Sequence, residues 1–465
     1  MADYDVIIVG AGPGGYVCAI RAAQLGLKTA IVDKQWLGGV CLNVGCIPSK
    51  SLLDSAHVAH TLRERGEEYG FELEGLKLDY SVAFKRSRAA SDRLTKGVGF
   101  LMKKNNVDVH MAAAEFKDAK TLTLVDGEGK TSTLTGDNIV VATGARAAMI
   151  PGVEADGERV VTYLEAIMAD SLPKSVVIVG AGPIGLEFAT IWHSYGVEVT
   201  LVEMLDRLAP REDPEVGKEM ARAFRKRGIK FHVGTKVAGI EVLKTKVKVN
   251  VSAEDGEQTL EADQALIAIG WTPNTGGLGL DKAGIKTTDR GWVDIDDRMA
   301  TNVEGVWAIG DVTGKLPLAH VASAMGIVCA ERIAGVESVE LDYEMMPRGT
   351  FSQPQIASFG LTEEQAKERG YEVKIGRFPF QPNGRALAMG ENVGWVKMVV
   401  DAKYGEILGA HLVGPEVTEL LPELTIAHMM ELTPAEIARN VHIHPTLSEA
   451  LMEAAHVAEG TPIHI

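Results

Sequence analysis

The chain reads as an α/β protein: two Rossmann-like dinucleotide-binding domains, one inserted in the other, followed by a C-terminal α+β domain. Three observations point there. At two places a short β-branched run leads straight into a glycine-rich turn and an apolar helix. The two places are offset by a constant 170 residues, from Gly10 to Gly180 and from Asp33 to Glu203. From about Met346 the glycine fingerprint disappears and paired strand runs with an amphipathic helix take over. Alternating strand and helix signals imply a parallel sheet, and a repeat at this spacing is a duplicated domain rather than a solenoid. At 465 residues the chain exceeds what one core supports and should divide into about three domains.

Val6-Ile7-Ile8-Val9 is apolar on both faces, as a central parallel strand must be. Gly10-Ala11-Gly12-Pro13-Gly14-Gly15 follows, then a helix expected over residues 16–25 and a second strand, Thr29-Ala30-Ile31-Val32, ending at Asp33. A lone glycine triplet is a weak signal. Here it lies between strand and helix, with an acidic residue 18 positions after its third glycine, and that combination is a dinucleotide fingerprint. Its glycines let a pyrophosphate sit on the helix N-terminus, and Asp33 would accept from ribose hydroxyls.

Leu37-Gly38-Gly39-Val40-Cys41-Leu42-Asn43-Val44-Gly45-Cys46-Ile47-Pro48-Ser49-Lys50 comes next, with two of the four cysteines separated by four residues. Thiols this close in sequence can close a small ring, whose strain makes the bond easier to reduce. A redox-active disulfide lying against the cofactor joins these facts. The bland alternative is two unpaired buried cysteines. No zinc reading recommends itself, because no second ligand pair stands at metal spacing.

The fingerprint then recurs: Val176-Val177-Ile178-Val179, Gly180-Ala181-Gly182-Pro183-Ile184-Gly185, a helix expected from Leu186, and a strand ending at Glu203. Two fingerprints imply two dinucleotides. A disulfide exchanges electrons with one of them only if that one is a flavin, since nicotinamide carries hydride. The unit beside the cysteines is therefore expected to hold FAD and the second a nicotinamide. Glu203 favours NAD, because a carboxylate there repels a 2′-phosphate; Arg207 nearby keeps NADP open.

Between the repeats, residues 66–137 read as polar and helical, then hairpin-like around Thr121-Leu122-Thr123-Leu124, closing in the buried run Asn138-Ile139-Val140-Val141-Ala142-Thr143-Gly144. Pro151-Gly152 reads as a linker. Ala265 to Gly270 ends the second unit, and Val306-Trp307-Ala308-Ile309 gives a further strand with Gly310-Asp311 at its carboxyl end. Ligands of open α/β sheets sit at such ends, so Asp311 is either a partner of a cofactor hydroxyl or a solvated loop residue. A helix is expected from Ala319 to Ala334, its N-terminus placed to stabilise a reduced flavin by up to ~2 kcal/mol. Val396–Val400 and Ile407–Leu412 read as paired strands, and Val417, Leu420, Leu421, Leu424 and Ala427 share one helical face. That face serves either its own core or a subunit contact.

Near the C-terminus stands His442-Ile443-His444-Pro445-Thr446-Leu447-Ser448-Glu449. Thiol substrates attack as thiolates and need a base, which an imidazole oriented by a carboxylate supplies. His444 with Glu449 fits that role; His442 is the alternative base. A net charge of −16 without a basic block argues against nucleic acid. No apolar run reaches the length of a membrane span, and the acidic N-terminal residues lead straight into a strand without a signal peptide, so a cytoplasmic location is expected.

Taken together, residues 10–15, 37–50, 142–144, 180–185, Gly310-Asp311 and 444–449 resemble the dihydrolipoamide dehydrogenases, within the class I pyridine nucleotide-disulfide oxidoreductases. The resemblance spans essentially the whole chain. It implies a homodimer in which His444 and Glu449 of one subunit complete the site around Cys41 and Cys46 of the other. Cys41 would be the thiol attacked by dihydrolipoamide, Cys46 the thiol facing the flavin, and Lys50 would pair near the flavin with Glu187. The resemblance further assigns FAD to Gly10, Gly12, Pro13, Gly14, Gly15, Asp33, Lys34, Gly39, Val40, Ala114, Thr143, Gly144, Gly310, Asp311, Leu318, Ala319 and His320. It assigns NAD to Gly180, Gly182, Pro183, Ile184, Gly185, Glu187, Glu203, Val237 and Gly270. The partner implied is the lipoyl domain of an acyltransferase or a glycine cleavage H protein.

The chain departs from that pattern in having Asp33 for glutamate, Ala145 for serine, Ala114 for glycine and Trp271 for arginine; none is a reacting group. The expected division is residues 1–148 and 272–345 for FAD, with residues 149–271 for NAD inserted, and 346–465 for dimerisation. Two competing readings are an NADP-dependent reductase of glutathione or a related disulfide, and a flavoprotein that binds without turnover. The first predicts a basic cluster where Glu203-Met204-Leu205-Asp206 stands. The second has no use for the cysteine pair and the His-Glu pair together.

Overall fold

A computed structural model describes residues 2–254 and 256–465, packed as two compact units. The first comprises Met1–Ser51, Ser81–Ala148 and Gly270–Tyr343; the second comprises Leu52–Tyr80, Met149–Ile269 and Glu344–Ile465.

At the centre of the first unit, strand Tyr4–Val9 lies parallel to Thr29–Asp33 on one side and Thr131–Val141 on the other. Val6, Ile7 and Ile8 are wholly buried, because both faces of this strand are covered. Asp108–Asp118 and Val306–Ala308 continue the parallel sheet outward. Val9 registers with both Val32 and Val141, and Val141 with Ala308. The other four strands therefore end along one edge, past which Asp108–Asp118 runs on, and Gly10, Asp33, Ala142 and Ile309 follow one another there.

Helix Pro13–Gln24 starts three residues ahead of the expected position, because Pro13 occupies the first helical turn, where its fixed φ is already helical. Helix Pro183–Ser194 starts early for the same reason. The segment around Thr121 is not an isolated hairpin. Strand Thr121–Asp126 bridges the protruding outer halves of Asp108–Asp118 and Thr131–Val141 into an antiparallel meander, with Leu122 and Leu124 turned inward.

The second unit repeats the device. Strands Lys230–His232, Glu198–Val202, Ser175–Val179, Gln264–Ile267 and Val160–Val161 form a parallel sheet in that order, and Val179 registers with both Val202 and Ile267. Strands Lys236–Val242, Val247–Ala253 and Gly256–Ala262 add a three-stranded antiparallel sheet. The C-terminal region is a five-stranded antiparallel sheet of Arg348–Thr350, Gln355–Gly360, Ile407–Gly414, Trp395–Asp401 and Val373–Pro379. Helix Val417–Met429 packs on it through Val417, Leu421, Leu424 and Ala427, with Leu420 at the margin, so the predicted apolar face is core. The other side of that helix and the loop beyond expose Ile426, Met429 and Met430. Among the described residues, no helix is long and apolar enough to cross a membrane.

Candidate active site

The three glycines of each fingerprint do three different things. Gly10 has φ +112°, and a Cβ there would stand 2.2 Å from the carbonyl oxygen of Ala142. A Cβ on Gly15 would stand 1.8 Å from the carbonyl oxygen of Gly10, so only glycine lets the helix close on the strand. A Cβ on Gly12 would meet nothing within 4 Å. Its openness is not needed by the fold, and it faces the free N–H groups that begin helix Pro13–Gln24. Gly180, Gly185 and Gly182 repeat the pattern, with 2.4 Å to Ala268, 1.9 Å to Gly180 and open space respectively.

The acidic residues that close each unit also correspond. Asp33 Oδ2 accepts from Ala11 N at 2.8 Å, and Oδ1 from Gln35 N and Trp36 N at 2.8 and 2.9 Å. Glu203 Oε2 accepts from Ala181 N at 2.7 Å and Oε1 from Leu205 N at 2.9 Å. The shorter arm of Asp33 thus holds its glycine turn as Glu203 holds the other. Lys34 is exposed beside Asp33. Arg207 is engaged with Asp206 at 3.6 Å rather than standing free beside Glu203. Ile184 is half-buried at the head of its helix, and Val237 is buried in strand Lys236–Val242.

The cysteine stretch is helical rather than a loop. Gly38 and Gly39 take left-handed φ of +83° and +59° and open helix Gly39–Val44; Gly45 breaks it, and helix Cys46–Glu64 begins. A Cβ on Gly39 would stand 2.5 Å from Cα of Gly12, so this segment rests directly on the fingerprint turn, with Val40 following on it. Cys41 and Cys46 are free thiols, half-buried and hydrogen-bonded to each other. That hydrogen bond, then burial and the neighbouring sulfur, push the Cys41 thiol well up from its ordinary value; the Lys50 ammonium acts the other way. Tyr16 also borders the pair: burial and then the charges of the two sulfurs raise its phenol.

Sequence reading missed what clamps this segment. Asn43 Nδ2 donates to the carbonyls of Leu37 and Gly39, each at 2.9 Å, and its Oδ1 accepts from Thr95 Oγ1 at 3.3 Å. Arg88 donates to the Asn43 carbonyl. Asn43 itself stood in the quoted run; Arg88 and Thr95 lie on helix Tyr80–Lys104, whose position no local signal reveals.

The remaining first-unit residues gather at the same sheet edge. Thr143 Oγ1 donates to the Asn274 carbonyl at 2.8 Å, and Asn274 N donates to Gly144 O at 3.0 Å, fixing the exit of that strand. Ala114 is half-buried on Asp108–Asp118. Gly310 opens a 3₁₀ turn after Val306–Ala308, and Leu318 caps helix Ala319–Ile333, with His320 exposed in its first turn. Asp311 is half-buried in that turn. Burial pushes its carboxyl up to about 6, and its side chain meets no donor among the described residues. A half-buried carboxyl whose ionised form burial disfavours fits a hydroxyl-bearing ligand at this edge. Together with the open face at Gly12, it makes the first unit suited to a flavin dinucleotide. Gly270, at φ +128°, is open around its missing Cβ.

In the second unit His444 Nδ1 lies 2.9 Å from Glu449 Oε1, while Thr446 N donates to Glu449 Oε2 at 2.8 Å. Burial opposes ionisation of Glu449, but the Thr446 N–H and His444 hold its carboxyl below the usual range. The His444 side chain is 78% exposed, so its Nε2 edge is available to another molecule. His442 is different: its side chain is 4% exposed, with Nδ1 at 2.9 Å from the Asn440 carbonyl and Nε2 at 3.0 Å from Glu423. Both of its nitrogens are committed, which leaves His444 as the available base. Glu187, buried in helix Pro183–Ser194, accepts from Phe351 N at 2.9 Å.

Comparison with known proteins agrees with this geometry. Residues 4–326 match the family "Pyridine nucleotide-disulphide oxidoreductase", and residues 346–455 match its dimerisation domain. The chain is 52% identical to a dihydrolipoyl dehydrogenase of Mycobacterium leprae over the full length of both, and 50% identical to one from Corynebacterium glutamicum over 99% of each. A crystal structure of LpdA from Mycobacterium tuberculosis superposes with a TM-score of 0.91 at 28% identity, covering 97% of this chain and 98% of that one. With two dinucleotide folds, a dithiol seated on the first fingerprint and a dimerisation domain matched over residues 346–455, this chain belongs to the pyridine nucleotide-disulphide oxidoreductase family.

Proposed function

We propose that this chain is an FAD-dependent dehydrogenase that oxidises a dihydrolipoyl dithiol to its cyclic disulfide and reduces NAD⁺. The observation that carries the reading is the Cys41–Cys46 dithiol held on the fingerprint turn through Gly39 and Gly12. The overall reaction balances as dihydrolipoamide plus NAD⁺ giving lipoamide, NADH and a proton.

When bound, FAD supplies the two-electron carrier that joins sulfur chemistry to nicotinamide chemistry. The chain's own residues do the rest. With Cys41 and Cys46 joined as a disulfide, a substrate thiolate attacks Cys41 and Cys46 leaves; the second substrate thiol then displaces Cys41, leaving lipoamide and the dithiol. His444, held by Glu449, takes the substrate proton, which matters because only the thiolate attacks. Lys50 lowers the cost of charge on sulfur. Gly10, Gly12, Asp33, Thr143, Gly144, Asp311 and the N-terminus at Ala319 hold FAD; Gly180, Gly182, Ile184, Glu203 and Val237 hold NAD. Arg207 is occupied by Asp206, which favours NAD over its phosphorylated form.

On this reading residues 1–148 and 272–345 form the FAD domain, 149–271 the NAD domain and 346–465 the dimerisation domain. The protein works as a homodimer in which each His444 serves the partner's thiols. The second substrate-side partner is a lipoyl domain, of an acyltransferase or a glycine cleavage H protein, and the compartment is the cytoplasm.

The test compares NADH formation from NAD⁺ and dihydrolipoamide with glutathione disulfide reduction by NADPH. Activity in the first assay alone is expected; activity only in the second overturns the reading. Cys46→Ser should abolish lipoamide turnover, and His444→Gln should lower it by roughly 10²–10⁴-fold.

A further inference from the structure

The two cysteines outside the redox segment also meet. Cys18 lies on helix Pro13–Gln24 and Cys329 on helix Ala319–Ile333; both are wholly buried, and the Cys18 sulfur is near enough to act, after burial, on the Cys329 thiol. Glycine sets the crossing of these helices. A Cβ on Gly326 would stand 2.5 Å from the carbonyl oxygen of Gly14 and 3.3 Å from Cβ of Cys18, so the two backbones touch there. Cys18 follows Gly14 by four residues and Cys329 follows Gly326 by three, which puts each thiol on the face that meets the other helix. The first helix begins at the open turn of Gly12 and the second just after Gly310-Asp311. Four cysteines thus make two dithiols, only one of which the proposed reaction uses.

We propose that Cys18 and Cys329 are a second, non-catalytic dithiol that closes to a disulfide under peroxide stress and clamps the two helices facing the flavin dinucleotide. The disulfide stands on the helix crossing alone; the clamp rests on the flavin assignment. One thiol gives up its proton and attacks a peroxide oxygen as thiolate, breaking the O–O bond to give a sulfenic acid and a hydroxide that takes up that proton as water. The other thiol attacks that sulfur and expels a second water, so two thiols lose two electrons and hydrogen peroxide becomes two waters. Burial pushes the Cys329 thiol well up and keeps both sulfurs away from bulk solvent, which slows the first step and spares the pair during ordinary turnover. The cross-link would close a loop of more than three hundred residues, the kind that constrains an unfolded chain most.

The experiment treats the holoenzyme with hydrogen peroxide, removes the excess with catalase, unfolds the protein in guanidinium with an alkylating reagent and maps the peptides. A peptide joined through Cys18 and Cys329 is expected, together with several-fold slower FAD release on warming. Neither effect should occur in Cys18→Ala or in Cys329→Ser, the second variant guarding against a folding defect in the first. Recovery of both residues as alkylated thiols, or of either as a sulfinic acid without a cross-link, overturns the pairing. A cross-link with unchanged FAD release overturns the clamp, while the flavin spectrum of untreated protein tests the flavin assignment separately.

Discussion

Lys397 offers the sharpest test of how the second unit is held. It lies on strand Trp395–Asp401 and is 2% exposed, yet its Nζ reaches Asp213 Oδ2 at 3.2 Å, Glu215 Oε1 at 2.6 Å and Glu363 Oε2 at 3.1 Å. Burial alone would strip its charge, but these carboxylates keep the ammonium above its ordinary pKa. The strand registers place Arg377, Lys397, His411, Ser358 and Arg348 in one row across the sheet. That row faces the acidic start of helix Pro214–Arg227, where Glu212 accepts from Ser358 and Asp213 caps the helix. Lys397→Met keeps much of the side chain's bulk but leaves Asp213, 1% exposed, without its cation. Removing one partner of a buried pair costs about 3–5 kcal/mol. Asp213 retains the Glu215 N–H at 2.9 Å, and the other two carboxylates reach solvent, so the low end of about 3 kcal/mol applies. At about 2 °C per kcal/mol for a unit of this size, the first thermal transition should fall by about 6 °C. Adding Asp213→Asn removes the stranded charge while keeping a cap, and should restore most of the loss. Calorimetry at fixed protein concentration reads both. An unchanged midpoint in Lys397→Met, or a further fall in the double variant, would refute the reasoning.

Other expected outcomes follow from the same geometry. Gly15→Ala should fail to give a folded first unit, because its Cβ would stand 1.8 Å from Gly10 O, whereas Gly12→Ala should fold but lose flavin, read by circular dichroism and by the absorbance of purified protein. Asp311 has its folded pKa raised from 3.8 to about 6, so between those values the native state holds more protons and stability falls as pH rises. Asp311→Asn should therefore stabilise the FAD-free protein at pH 7, by at most about 3 kcal/mol, but not at pH 3.5, while weakening FAD retention in a flavin-release titration. His60 is opposite in sense. Burial, then Arg227 and His193, depress its pKa from 6.5 to about 3, so its contribution is present above 6.5 and lost as pH falls toward 3. His60→Gln should flatten the acid limb of a stability-versus-pH curve; an unaltered limb would count against it.

The division between what was legible and what was not follows the range of the interactions. Both fingerprints, the acidic residues closing them and the cysteine run are short segments whose residue types answer local steric and chemical demands. Gly10 and Gly15 are glycine because a Cβ would overlap a backbone oxygen nearby, and that demand leaves its mark within a few positions. The apolar face of Val417 to Ala427 was equally visible, as helical spacing, but whether it was core or contact depended on the sheet beneath it. Sequence alone thus determined the two dinucleotide folds, the dithiol and the family. Only the tertiary structure decided that His444 rather than His442 is exposed, that Asp311 is half-buried, and that Arg88 and Thr95 grip Asn43. It alone brought Lys397 to Asp213 and Cys18 to Cys329. Burial and partnership between distant residues arise when whole elements pack, and packing obeys the shape of the assembled chain, which no neighbouring residue records.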